Sequence, residues 1–144
     1  MKLREAYAES LHREGHVEDP AQVELIAHLE DLQQRLAAQR PRKGGLRTMF
    51  FRSEPRESVR GLYIWGGVGR GKTFLMDLFF ESLAIKEKKR IHFHRMMHDV
   101  HERMKTLSFV EDPLDKVAAS IAQETQVLCF DEFFVSDIGD AMIL

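Results

Sequence analysis

The sequence predicts an α/β fold in which a parallel sheet is flanked by helices and preceded by an N-terminal helical segment. Three observations predict it. Short β-favouring runs alternate with helix-length amphipathic stretches. A glycine-rich turn joins the first of these runs directly to a helix. The last run, Val127-Leu128-Cys129-Phe130, is continuously apolar, the pattern of a strand buried on both faces. With 144 residues, 44% hydrophobic and 31% charged, the chain has the proportions of one soluble globular domain or part of one. Its formal charge of −2 shows no overall basic excess, so nucleic acid is an unlikely partner by composition. The longest purely apolar stretches fall far short of the ~18 to 20 residues a spanning helix needs, which predicts no integral membrane segment. The first residues lack an apolar h-region and carry Glu5 and Glu9, so a cytoplasmic address is expected.

Taken in order, the elements have recognisable signals. A short helix is expected over residues 3–13, stopped by Gly15. Asp19-Pro20 opens a stronger one, with Asp19 as N-cap, Pro20 at the first helical position and Gln22 at the capping-box position. Val23, Leu25, Ile26, Leu29, Leu32 and Leu36 recur at helical spacing, so this helix should run over 20–39 and end before Pro41. Residues 40–60 read as a connector with seven basic and two acidic residues, interleaved with Phe50 and Phe51. Such a run is usually a solvated surface, and contact with nucleic acid or anionic lipid is the alternative. The organisation expected is therefore a helical segment and basic connector over 1–60, then a sheet-containing core over 61–144.

In that core, Leu62-Tyr63-Ile64-Trp65 reads as the first strand, and the helix from Lys72 to Leu83 carries Phe74, Leu75, Leu78 and Phe79 on one stripe. The alternation from Arg90 to Met96 predicts a second strand, followed by a helix from about Asp99 to Leu107. Asp112-Pro113 starts another helix to about Thr125, and Val127–Phe130 is the third strand. Ser136 is expected to cap a helix beginning at Asp137. Cys129, the single cysteine, reads as a small buried hydrophobe.

Gly66-Gly67-Val68-Gly69-Arg70-Gly71-Lys72-Thr73 fits the pattern G-x-x-x-x-G-K-[ST], placed between a strand and a helix as that motif requires. Glycines let the backbone curl so that successive N–H groups point at phosphate oxygens, and the helix start adds the positive end of its dipole. Lys72 is expected on the β- and γ-phosphates and Thr73 on Mg²⁺, which makes ATP with Mg²⁺ the expected ligand pair. The second element is Asp131-Glu132, two carboxylates ending the apolar strand in the manner of a Walker B edge. Asp131 is expected to hold Mg²⁺, directly or through water, and Glu132 to orient the attacking water. His92, His94, His98 and His101 could suggest a metal site, but no cysteine or carboxylate completes a tetrahedral set, and the plainer reading keeps them structural. Met96, Met97 and Met104 read as core fillers, and Phe133-Phe134 as packing.

Together these residues resemble a known family. The run from Gly61 to Thr73, Leu75-Met76-Asp77, His92-Phe93-His94-Arg95, Cys129 to Phe133 and Ser136-Asp137-Ile138 are similar to the ZapE-like cell division AAA+ ATPases, which have mitochondrial relatives. Tyr7, Gly15, Asp19 and Gln22 match the looser N-terminal pattern. The resemblance implies a P-loop AAA+ ATPase that destabilises polymers of the tubulin-like protein FtsZ at the division ring, with self-association as a homo-oligomer in the intact protein. It also implies a core truncated after the Walker B strand, since the chain stops at Leu144, before the sensor residues, arginine finger and C-terminal lid. With the sensor-one strand's slot empty, the first and third strands lose their common neighbour, and turnover by this chain is expected to be impaired. Asp19 and Gln22 are candidates to approach the adenine, against a simpler capping role. Two further readings stay open: a non-hydrolysing module that docks on a partner, and a nucleic-acid ATPase similar to helicase loaders.

Overall fold

The computed structural model describes residues 2–39 and 58–144. The chain divides into two compact units, Met1–Ser82 and Leu83–Leu144.

The regular elements described in the first unit are three mutually packed helices, α1 (Leu3–Glu14), α2 (Pro20–Ala38) and α3 (Lys72–Ser82). Helix α2 follows its sequence signals. Asp19 Oδ1 accepts from the Ala21 amide at 2.9 Å, Pro20 occupies the first turn, and the buried stripe is Ile26, Leu29, Leu32 and Leu36. Helix α1 buries Leu3, Ala6 and Tyr7, and α3 buries Leu75 and Phe79. Polar ties lock the trio: the Arg4 amide donates to Glu30 Oε1 at 3.1 Å, and Gln33 Nε2 donates to the Ser82 carbonyl at 3.0 Å. Each satisfies a helix-end group that has no partner inside its own helix.

The strand expected at Leu62–Trp65 is not formed. That stretch carries no regular structure, and Tyr63 and Trp65 are 70% and 80% exposed. Strand propensity is realised through a ladder and a packed face, and no described element of this unit is a strand. The connector expected at 40–60 lies outside the described residues over 40–57.

The second unit contains a parallel pair, β1 (Lys88–His92) with β2 (Val127–Asp131), in the register Lys88↔Val127 through His92↔Asp131. Between them run α4 (Phe93–Thr106) and α5 (Pro113–Glu124), and α6 (Ile138–Ile143) follows β2. The second strand is thus shorter than its alternation suggested, and the helix starts at Phe93 instead of Asp99. Phe93, Met96, Met97 and Val100 are all buried in one cluster with Val117. Their spacing of three, four and seven is helical, whereas a strand would send Phe93 and Met96 to opposite faces. The methionines are core residues, and Met104 packs against the same cluster. Phe133 joins it through Phe93, at a ring separation of 4.5 Å, while Phe134 stays exposed. Asp137, not Ser136, caps α6, accepting from the Gly139 amide at 2.6 Å.

Candidate functional site

The glycine-rich loop lies in the first unit, between residues 61–65, which form no regular element, and α3. Gly69 and Gly71 have φ of 76° and 77°, the left-handed region that side chains rarely adopt, so these two positions need glycine to make the turn. Lys72, the first residue of α3, folds back along the loop. Its Nζ donates to the carbonyl oxygens of Gly66 at 2.8 Å and Gly67 at 2.6 Å. The start and end of the loop are thereby clipped together by the lysine that follows it. A Cβ built on Gly66 or Gly69 would meet nothing within 4 Å, so the rim is open, and Val68 and Arg70 are exposed on it. Thr73 presents an exposed position in the first turn of α3.

Behind this loop stands the N-terminal segment. Tyr7 of α1 donates its hydroxyl to Gln22 Oε1 at 2.8 Å, and Gln22 Nε2 donates to the Arg70 carbonyl at 3.1 Å. Asp19 Oδ2 lies 3.8 Å from the Arg70 guanidinium while its other oxygen caps α2. The capping role read for Asp19 therefore holds. Gln22, read as the capping-box partner, points its amide at Tyr7 and the loop instead.

The two carboxylates lie in the second unit. Asp131 is the last residue of β2, with its side chain 17% exposed, and its Oδ2 receives Arg90 Nη2 at 2.6 Å. Arg90 sits on β1 opposite Cys129, so Asp131 is two residues along on the same face. Glu132 follows in the left-handed region at φ 50°, a conformation that costs a non-glycine residue on the order of 1–2 kcal/mol. The chain therefore breaks sharply away from the strand immediately after Asp131. Cys129 is buried, and that burial pushes its thiol pKa up, which keeps it protonated and unreactive.

The histidines take separate positions. His92 ends β1, His94 is in α4, and their rings stack at 5.8 Å. His101 Nε2 is 2.7 Å from Asp140 Oδ1, joining α4 to α6. No group of three or more His, Cys, Asp or Glu side chains is gathered for a metal ion among the described residues.

Within the first unit, then, the structure brings Lys72 onto Gly66 and Gly67 and ties Arg70 to Asp19 and Gln22; within the second it sets Asp131 against Arg90. Sequence reasoning singles out Gln22 for a cap or an adenine contact and misses its actual partners: Tyr7 lies 15 positions before it and Arg70 48 positions after it, separations that no local pattern reveals. Arg90 had a usable signal, because a parallel register puts residues two apart across neighbouring strands on the same face.

A lysine clipped onto glycine carbonyls at a helix start, and a parallel strand pair ending in a carboxylate, fit the N-terminal portion of an α/β ATPase of the P-loop class. The sequence model of the AFG1-like ATPase family matches residues 1–144, and the chain belongs to that family. It is 47% identical over 147 aligned positions to the cell division protein ZapE of Escherichia coli K12, a match covering 96% of this chain and 39% of that protein. Lactation elevated protein 1 homolog B of Danio rerio is 48% identical over 96 positions, covering 59% of this chain and 19% of its own length. An uncharacterized protein of Schizosaccharomyces pombe, C115.02c, is 46% identical over 91 positions, with coverage of 59% and 20%. The chain thus spans about two-fifths of the bacterial relative (39%) and a smaller share of the others. No solved structure matches. No described helix is long and apolar enough to cross a membrane.

Proposed function

We propose that this chain carries the nucleotide-binding portion of an ATP-hydrolysing, Mg²⁺-dependent cell division protein of the ZapE type. One observation carries the reading: the loop 66–73 is curled and closed by its own lysine, with Lys72 Nζ on the Gly66 and Gly67 carbonyls. Carbonyls turned onto an ammonium leave that charge held at the loop mouth, where it suits a polyanion, and the first turn of α3 adds unpaired backbone donors. Backbone N–H groups of residues 67–73 are the proposed phosphate cradle, over Gly67, Val68, Gly69, Arg70 and Gly71, with Lys72 as the cation for the β- and γ-phosphates. The Thr73 hydroxyl and the Asp131 carboxylate are hard oxygen donors of the kind Mg²⁺ takes. When bound, the ion would neutralise charge on the phosphates. Glu132, held immediately beyond Asp131 by its left-handed turn, is assigned to polarise and orient the attacking water. Arg90 pairs with Asp131, a counter-charge that limits the cost of a largely buried carboxylate.

The division-ring role rests on similarity to the bacterial relative and on the motif resemblance. It assigns ATP-dependent destabilisation of FtsZ polymers, self-association in the intact protein and a peripheral position at the division site. Sedimentation of FtsZ polymers with and without ATP tests that assignment. The nucleotide site is tested by calorimetric ATP titration of the chain and of Lys72→Ala. Removing the ammonium is expected to weaken binding by about tenfold or more, as losing a charge-assisted contact of ~1.5–3 kcal/mol implies. Equal affinity in the two proteins would refute the site.

A further inference from the structure

From the contact between α2 and the loop we infer that Gln22 is a positioning residue for the phosphate cradle, with Tyr7 fixing its orientation; the inference rests on the proposed nucleotide site. The chemistry of the three groups allows only one arrangement. The Arg70 carbonyl can only accept, so the group facing it at 3.1 Å must be the Gln22 amide nitrogen. That leaves Oε1 to accept from the Tyr7 hydroxyl at 2.8 Å. Tyr7 is 1% exposed, packs near Phe74 of α3, and so is a fixed post instead of a mobile surface group. The amide is therefore held at both ends, and its NH₂ cannot rotate away from the loop without breaking the bond to Tyr7.

What it holds is one peptide plane of the cradle. The Arg70 carbonyl and the Gly71 N–H belong to the same planar trans peptide, so they point in opposite directions. Pulling the carbonyl toward α2 turns the Gly71 N–H away from α2. The left-handed φ of Gly71, 77°, is the turn this requires, and a Cβ there would lie 2.5 Å from Gln22 Nε2. Glycine at position 71 thus serves the close approach of Gln22 as well as the backbone turn. Gln22 acts through the backbone and touches no phosphate itself.

The test uses the full 144-residue chain, titrated with ATP and with inorganic triphosphate. Gln22→Glu keeps the side-chain length and the acceptor for Tyr7 but presents an oxygen to the Arg70 carbonyl. At neutral pH it is expected to weaken both ligands about tenfold, the loss of one oriented hydrogen bond with repulsion in its place. Lowering the pH through the ordinary glutamate value of about 4.3 protonates the introduced carboxyl and restores a donor, so the gap from the wild type should narrow. A packing defect would not show the pH recovery. Should Gln22→Glu melt early, Gln22→Met, of equal length and uncharged, carries the same comparison at neutral pH. Triphosphate affinity unchanged in a folded Gln22 variant, beside a weakened Lys72→Ala, overturns the inference and points to base contact or mere structure. Wild-type binding no stronger than that of Lys72→Ala sinks the nucleotide site itself, a separate failure.

Discussion

Both regions that carry the candidate chemistry turn the chain through left-handed backbone, and they do so with opposite residues. The loop before α3 uses Gly69 and Gly71, whereas the end of β2 uses Glu132. In the loop the proposed binding group is the backbone, and a side chain at Gly71 would obstruct the approach of Gln22. At the strand end the proposed role falls to the side chain, and the fold tolerates strained backbone that keeps Glu132 next to Asp131. Asp112 shares the left-handed region at the start of α5, but aspartate is among the residues that accept it readily, so its position carries no such implication.

The contrast can be broken from either side. The largest effect is expected from Gly71→Ala, which puts a Cβ into a φ of 77° and against Gln22 Nε2. It should cost about 1–2 kcal/mol in denaturant unfolding and strip ATP binding along with it. Retained stability and binding would mean that the turn is not under the constraint described. The reverse change, Glu132→Gly, should stabilise the protein by about 1 kcal/mol by relieving the left-handed glutamate, while ATP turnover in the intact protein disappears. Asp112→Gly is the internal control and should gain less. If Glu132→Gly destabilises instead, the turn after β2 is held by contacts and not strained.

The smallest effect concerns the scaffold beneath the carboxylates. Arg103 of α4 reaches α5 through Glu124, with both guanidinium nitrogens at 3.0 Å, and through Ser120 at 2.9 Å. The hydrogen bond from Arg103 holds the Glu124 carboxyl below the usual carboxylate range. A depressed carboxylate contributes stability above its unfolded pKa and loses it as the pH falls through the folded one. Arg103→Gln should therefore lower the thermal midpoint by only ~2 °C at neutral pH, because the pair is exposed. The difference from wild type should fade once the pH drops below the carboxylate range. A difference that grows on acidification would contradict that sign.

Much of the fold could be read from local signals, and the exceptions have physical causes. Helix α2 was legible because cap, first-turn proline and apolar stripe agree, and α5 because Pro113 fixes its start. Strand β2 was legible because Val127–Phe130 is a continuous apolar run of strand length that stops at two carboxylates. Leu62–Trp65 misled because strand character depends on a neighbour that the run itself does not encode. The start of α4 misled because Ile91 and Phe93, set between His92 and His94, alternate over only a few positions, and the continuation through Met96, Met97 and Val100 is what reveals the helical period. The site was legible as a motif, down to Lys72, since the loop closes on itself within six positions. The bridge from Tyr7 through Gln22 to Arg70 was not, although the sequence singles out Gln22 for another role, because that contact depends on how α1 and α2 pack.

The central claim is that the amides of residues 67–73 receive a triphosphate under the control of Lys72. Backbone amide NMR of the labelled chain during titration with Mg²⁺ and ATP reads those groups one by one. The account predicts that the largest shifts fall on residues 66–73 and their braces, and that these are absent in Lys72→Ala. Shifts that leave these amides unmoved, or that persist undiminished in Lys72→Ala, would contradict it.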